Sequence, residues 1–109
     1  MKVIVLPEVR QYLSELMWIL YDSDYFGFFE SAENYVETLF EDIKTSLPNR
    51  QKRPATPYFQ RYGKNLFYSV FRKSKHTQWY VFFNIYEERD EKIYLVRHIT
   101  NNHVAAKDL

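Results

Sequence analysis

Apolar positions change their spacing twice along the chain. Lys2–Leu6 (KVIVL) is a short β-branched run closed by Pro7, and it predicts an opening strand. From Glu8 the spacing becomes three and four. Val9, Tyr12, Leu13, Leu16, Met17 and Leu20 then share one helical face, and Asp22-Ser23-Asp24, followed by Gly27, marks its end. Ser31 reads as the N-cap of a second helix. Its apolar stripe runs through Tyr35, Val36, Leu39, Phe40, Ile43 and Leu47 until Pro48 stops it. Two helices on so short a connection pack as an antiparallel hairpin. Residues 48–57 (PNRQKRPATP) read as an exposed connector. Beyond it come strand-type runs at Tyr58–Tyr62, Leu66–Lys73, Gln78–Glu87 and Lys92–Thr100, with turn signals between them. The expected fold is α+β: an N-terminal strand, a helical hairpin, then an antiparallel meander packed on the helices, in one domain spanning residues 1–109.

Alternation assigns the strand faces. In the last strand Ile93, Leu95 and Ile99 form the more apolar set and are expected against the helices. Tyr94, Val96, His98 and Thr100 then point to the open face, joined by Tyr68 and Arg72 from the 66–73 run. The 78–87 run is apolar on both faces, as a central strand should be, and its Tyr80, Phe82, Asn84 and Tyr86 set falls on the open side.

Composition sharpens this picture. Ten Tyr, nine Phe and two Trp give a 19% aromatic share, enough for a substantial core in 109 residues. Two Gly and four Pro argue against a disordered or low-complexity chain. The absence of Cys favours a reducing compartment, and KVIVL is too short for the core of a signal peptide. No run reaches membrane-spanning length, so the expectation is a cytoplasmic protein with no membrane association. The formal charge of +1 conceals an asymmetry. Residues 1–50 hold four basic and nine acidic side chains, and residues 51–109 hold eleven basic and five acidic. Residues 51–86 carry seven Lys or Arg and no Asp or Glu, the electrostatic footprint of a polyanion partner. A solvated basic face fits the charge alone equally well.

The open face is expected to hold Tyr68, Arg72, Tyr80, Tyr86, Tyr94 and His98, with Arg61 and Lys64 nearby. Arg binds phosphate through paired hydrogen bonds, Tyr offers a stacking plane, and His titrates near neutrality. Basic and aromatic residues interleaved on a sheet suit single-stranded RNA. Cleavage there would follow metal-independent ribonuclease chemistry, with His98 as general acid or base and Arg72 stabilising the phosphorane. His76, His98 and His103 lack metal-ligand spacing, and Gly27 and Gly63 make no phosphate-binding loop, so no cofactor is expected. Arg97 and His98 are adjacent and point to opposite faces of a regular strand, unless a bulge intervenes.

The element order, with LFYSVFRKSKHTQWYVFFNIY at residues 66–86 and EKIYLVRHITNNH at 91–103, resembles the RelE/ParE superfamily of bacterial type II toxins. The resemblance implies a toxin neutralised by a cognate antitoxin. It also implies action either as a ribosome-dependent mRNA endonuclease or, on the ParE branch, as a DNA gyrase inhibitor with no catalytic residues; a non-toxic binding module on the same fold is the further alternative. Val70 stands where the family has a strand Arg, with Arg72 two places on. Tyr80 stands where the next strand usually has Arg. Arg97 and His98 lie near the basic or His-bearing end of the last family strand.

Overall fold

In the computed structural model, residues 1–22 and 27–105 are described. The opening run forms β1 (Lys2–Val5), and Pro7 begins α1 (Pro7–Asp22). A proline suits the first helical position, because the N–H it lacks would have no helical partner there. The expected helix end at Ser23-Asp24 lies outside the described residues. α2 (Phe29–Ser46) starts two residues before Ser31, with Phe28 as an N-cap that makes no side-chain bond. The capping reading of Ser31 is thus corrected. Phe29 packs on Trp18 at 4.6 Å and on Tyr21 at 5.6 Å, and these tertiary contacts carry the helix past the capping residue.

The sheet has five strands in the order β1-β5-β4-β3-β2. β3 (Phe67–Arg72), β4 (Gln78–Glu88) and β5 (Glu91–Asn101) form the expected meander. Arg89 and Asp90 turn between β4 and β5 with positive φ at both positions, which matches the twist of a tight hairpin. β1 adds to one side in parallel with β5, and β2 (Arg53–Pro54), a two-residue strand within the connector, pairs with β3 on the other. A short helix, α3 (Asn102–Ala105), follows β5.

One face of the sheet takes the helices. Val9, Leu13 and Leu16 of α1 and Val36, Leu39 and Ile43 of α2 meet Phe71, Trp79, Val81, Phe83, Tyr94, Val96 and Ile99. Trp79 Nε1 donates to the Tyr35 hydroxyl at 2.9 Å, which satisfies the one polar atom of this large buried ring. Lys44 of α2 donates to the Val3 carbonyl at 2.7 Å and so occupies an acceptor of edge strand β1.

Two expectations about the other face change. Residues 57–62 form a 3-10 helix (Pro57–Tyr62), not a strand. In a 3-10 helix side chains three apart eclipse. Phe59 and Tyr62 therefore share one side and press on the sheet, while Tyr58 and Arg61 pair on the outside. The face is accordingly roofed, with Ala55, Phe59, Leu66, Tyr68, Tyr80 and Phe82 forming a second small core beneath the turn. The second change lies in β5. A bulge between Phe82 and Phe83 makes Phe82 pair with His98 and Phe83 with Val96, so Arg97 is the extra residue. Before the bulge Tyr94 and Val96 face the helices, and after it Ile99 does. The assignment of Ile93 and Leu95 to the helix side is thus reversed, whereas that of Ile99 holds.

Candidate nucleic-acid interface

The bulge decides which chemistry meets on the roofed face. One extra residue lets two neighbours point the same way. Arg97 Nε donates to Asn84 Oδ1, and Arg97 Nη2 donates to the Tyr86 hydroxyl at 3.0 Å. His98 lies one position on, opposite Phe82 of the same face. The expectation that Arg97 points away from His98 is therefore corrected. The sequence signal was two polar residues in succession, between Val96 and Ile99, in a strand that otherwise alternates.

Asn84 ties this cluster to the turn before β3. It is buried, and its Nδ2 donates to the Lys64 carbonyl at 2.7 Å and to that of Asn65 at 3.3 Å. Gly63 lies against the same pair. A Cβ there would stand 2.8 Å from Arg97 Cδ and 3.2 Å from Asn84 Oδ1, so only glycine leaves room for the arginine.

His98 is held by rings. Tyr62 stacks on its imidazole at 3.8 Å with 6° between the planes, and Phe82 and Phe59 lie at 5.7 and 6.3 Å. Burial first, and the positive charge of Arg61 second, together lower the imidazole pKa to about 4. His98 is therefore uncharged at neutral pH. Neither ring nitrogen is a buried atom without a partner, so solvent reaches both. Arg61 sits over the Tyr58 ring at 4.4 Å and the Tyr62 ring at 5.1 Å, and its Nη2 donates to the Tyr58 hydroxyl at 2.9 Å. Arg61, Tyr62, His98, Arg97 and Tyr86 thus adjoin, two of them on the roof and three on the sheet.

The other expected site residues fall elsewhere. Arg72 is exposed on the same face but is level with Gln78, whereas His98 is level with Phe82 two strands over. Four residues along and two strands across separate their Cα atoms by roughly 16 Å. They do not share a centre. Tyr68 and Tyr80 are buried under the roof and pack edge to face at 6.1 Å. Tyr94 is off this face altogether. It is buried on the helix side, with its hydroxyl 4.0 Å from the Met1 sulfur, because the bulge shifts the alternation of β5. Lys64 is exposed beside the Asn84 clip. Among the described residues no helix is long and apolar enough to cross a membrane, and no group of three His, Cys, Asp or Glu could hold a metal ion.

No protein-family model, no curated protein and no solved structure matches this chain. The fold stands as an α+β layout in which a helical hairpin covers one sheet face and an aromatic 3-10 turn covers part of the other.

Proposed function

We propose that this protein is the toxin of a toxin–antitoxin pair, with a RelE/ParE-like plan, and that it engages messenger RNA through the Tyr62–His98–Arg97 face. The observation that carries the reading is the convergence of an uncharged imidazole, a stacking tyrosine and two guanidiniums on one sheet face. The nearest acidic residues of that face, Glu88 and Glu91, pair beyond Tyr86 at the hairpin end. Guanidiniums hold phosphate and aromatic planes stack bases, so such a face suits an unpaired strand.

In the nuclease form of this reading the RNA 2′-hydroxyl attacks the adjacent phosphorus. His98 takes its proton, since an uncharged imidazole accepts a proton and has none to spare. Arg97 and Arg61 stabilise the phosphorane, and the 5′-oxygen leaves with a proton from solvent. Arg97 here replaces Arg72, which stands too far from His98. The depressed pKa of His98 favours a second reading, a gyrase-binding inhibitor with no chemistry of its own. An efficient general base has a pKa near the working pH, and about 4 is well below it.

Induced expression in a bacterial host tests both. Growth arrest with mapped mRNA cuts supports the nuclease form, and arrest with intact mRNA and lost gyrase supercoiling supports the inhibitor. Unimpaired growth at high levels of soluble protein removes the toxin reading.

A further inference from the structure

We infer that a separate cavity on the same face, at the junction of β2 and β3, is a binding pocket for a phosphate ester. It has a volume of about 420 Å³ and is lined by Arg50, Gln51, Arg53, Tyr68, Val70 and Gln78. That volume falls within the range of small-molecule sites. It exists because β2 is only two residues long. Arg53 pairs with Tyr68, and beyond it β3 has no strand partner on this side among the described residues. The chain before Arg53 touches β3 only through Gln51, whose carbonyl accepts from Ser69 Oγ at 2.9 Å, and through the Arg50 side chain.

Its walls are built for an anion. Arg50 lines it from the β3 edge, with its guanidinium tied to the helix side. Its guanidinium donates to Asp42 at 2.8 Å, to Ser46 at 3.1 Å and to the Val70 carbonyl at 3.2 Å, and it lies 4.0 Å over the Phe71 ring. Asp42 balances that one charge. Arg53 is exposed and has no ion-pair or hydrogen-bond partner among the described residues. The Tyr68 ring is buried, yet its hydroxyl has no hydrogen-bond partner among the described residues and is not sealed from solvent. Arg72, exposed on the same face, pairs in register with Gln78 at the far rim. One unpaired guanidinium, that of Arg53, a free phenol and the Gln78 amide thus line one recess, with Arg72 next to Gln78 across the β3–β4 register. Charge-assisted donors of this kind recognise a phosphate more strongly than neutral ones do.

The pocket is distinct from the His98 cluster. Arg53, Tyr68, Phe82 and His98 form one row across the sheet, three strand spacings or roughly 14 Å from end to end. The phosphate can belong to an RNA strand that also crosses the His98 face, which rests on the reading above, or to a free mononucleotide, which does not.

Chemical-shift mapping with inorganic phosphate, adenosine 5′-monophosphate and a single-stranded RNA hexamer tests the assignment. The expected result is saturable shifts at Arg53, Tyr68 and Gln78 with all three probes. Affinity for each is expected to fall about tenfold to a hundredfold in Arg53→Glu, and less in Tyr68→Phe, which keeps the buried ring. Lys75→Glu, in the β3–β4 turn, is the matched control and is expected to change affinity less than Arg53→Glu. Mononucleotide binding without RNA binding upholds the pocket and removes the RNA reading. RNA binding that Arg53→Glu and Tyr68→Phe leave unchanged, in variants with unaltered melting temperature, overturns the pocket and spares that reading. Absence of shifts with all three probes overturns the pocket outright.

Discussion

The ring of Tyr62 lies flat on the imidazole of His98, 3.8 Å away and within 6° of parallel. This contact joins two segments of the chain whose local structures arise independently. Tyr62 is placed by the three-residue period of the 3-10 turn, and His98 by the bulge at Arg97. It covers a residue suited to chemistry with a residue suited to stacking, and so makes the state of His98 depend on the roof.

Removing the roof is expected to change that state. In Tyr62→Ala the imidazole gains water on its covered side, and its pKa is expected to rise from about 4 towards the ordinary 6.5. Arg61 keeps it from reaching that value. An NMR titration of the imidazole Cε1 proton reads this directly. An unchanged midpoint would mean that Phe59 and Phe82, beneath the ring, cause the depression and that Tyr62 does not.

The same group ties stability to pH. Its folded pKa of about 4 lies below the unfolded value near 6.5, so between these values the unfolded chain binds the extra proton. Stability from this source is full above about pH 6.5, falls as the pH drops through the window, and levels off below about 4. His98 is only about half buried, so solvent screening limits the effect to about 1–2 kcal/mol. Tyr62 faces it from the roof, Arg61 acts on it from the same turn, and Arg97 adjoins it on β5. The difference in melting temperature between wild type and His98→Phe should therefore shift with pH in that window. A difference that is flat from pH 7 to 4 would exclude the buried neutral imidazole.

The parts of the fold that are legible in the sequence are those set by local period. The helical stripes of α1 and α2 and the three meander strands follow from spacings of 3.6 and 2, which each segment carries by itself. Tyr58–Tyr62 reads as a strand because aromatic residues favour strands in general, whereas the i, i+3 pairs Phe59/Tyr62 and Tyr58/Arg61 become informative only when a sheet lies beneath them. Tyr94 was misplaced and Arg97 misdirected by one cause, the single-residue slip at the bulge, which moves everything before it to the other face. His98 was placed correctly because it follows the slip. Arg72 was on the expected face, but a face does not give distance along the strands. That depends on the register of β3 against β4.

The Asn84 clip is expected to be a stability feature as well as a positioning one. Asn84→Ala leaves the Lys64 carbonyl and the Arg97 guanidinium without their shared partner, at a cost of about 1–3 kcal/mol. Gly63→Ala acts on the same place from the opposite side, because its Cβ would displace the Arg97 side chain. Thermal melts of both variants should fall by several degrees. The double variant should lose less than the sum, since the two sites share partners. Strict additivity would show that the turn and Arg97 are not coupled through Asn84.

If an acidic antitoxin segment neutralises this protein, it is expected to lie on the positive roof. Arg61 and Lys64 are both exposed, and neither forms an ion pair among the described residues. Arg61→Glu with Lys64→Glu should weaken association with the cognate partner and flatten its salt dependence. Co-purification across a salt gradient measures this. Association of equal strength and equal salt sensitivity would place the partner elsewhere.

Growth and cleavage assays on three variants separate chemistry from binding. His98→Ala removes the only imidazole of the cluster, and Arg97→Ala removes the guanidinium fixed beside it by Asn84 and Tyr86. Under the nuclease reading each should lower the cleavage rate about a hundredfold or more. Arg72→Ala should leave the catalytic rate near wild type, because roughly 16 Å separates it from His98, and act only on affinity for the strand. Melting curves beside each assay are needed. His98→Ala opens space beneath Tyr62, so His98→Gln, which keeps bulk there, serves as its folded counterpart. Lost cleavage in Arg72→Ala with full cleavage in Arg97→Ala would return the phosphate-stabilising role to Arg72 and place the reaction nearer β3. Growth arrest that survives all three substitutions in folded protein would remove catalysis from this face and leave the gyrase-binding reading in its place.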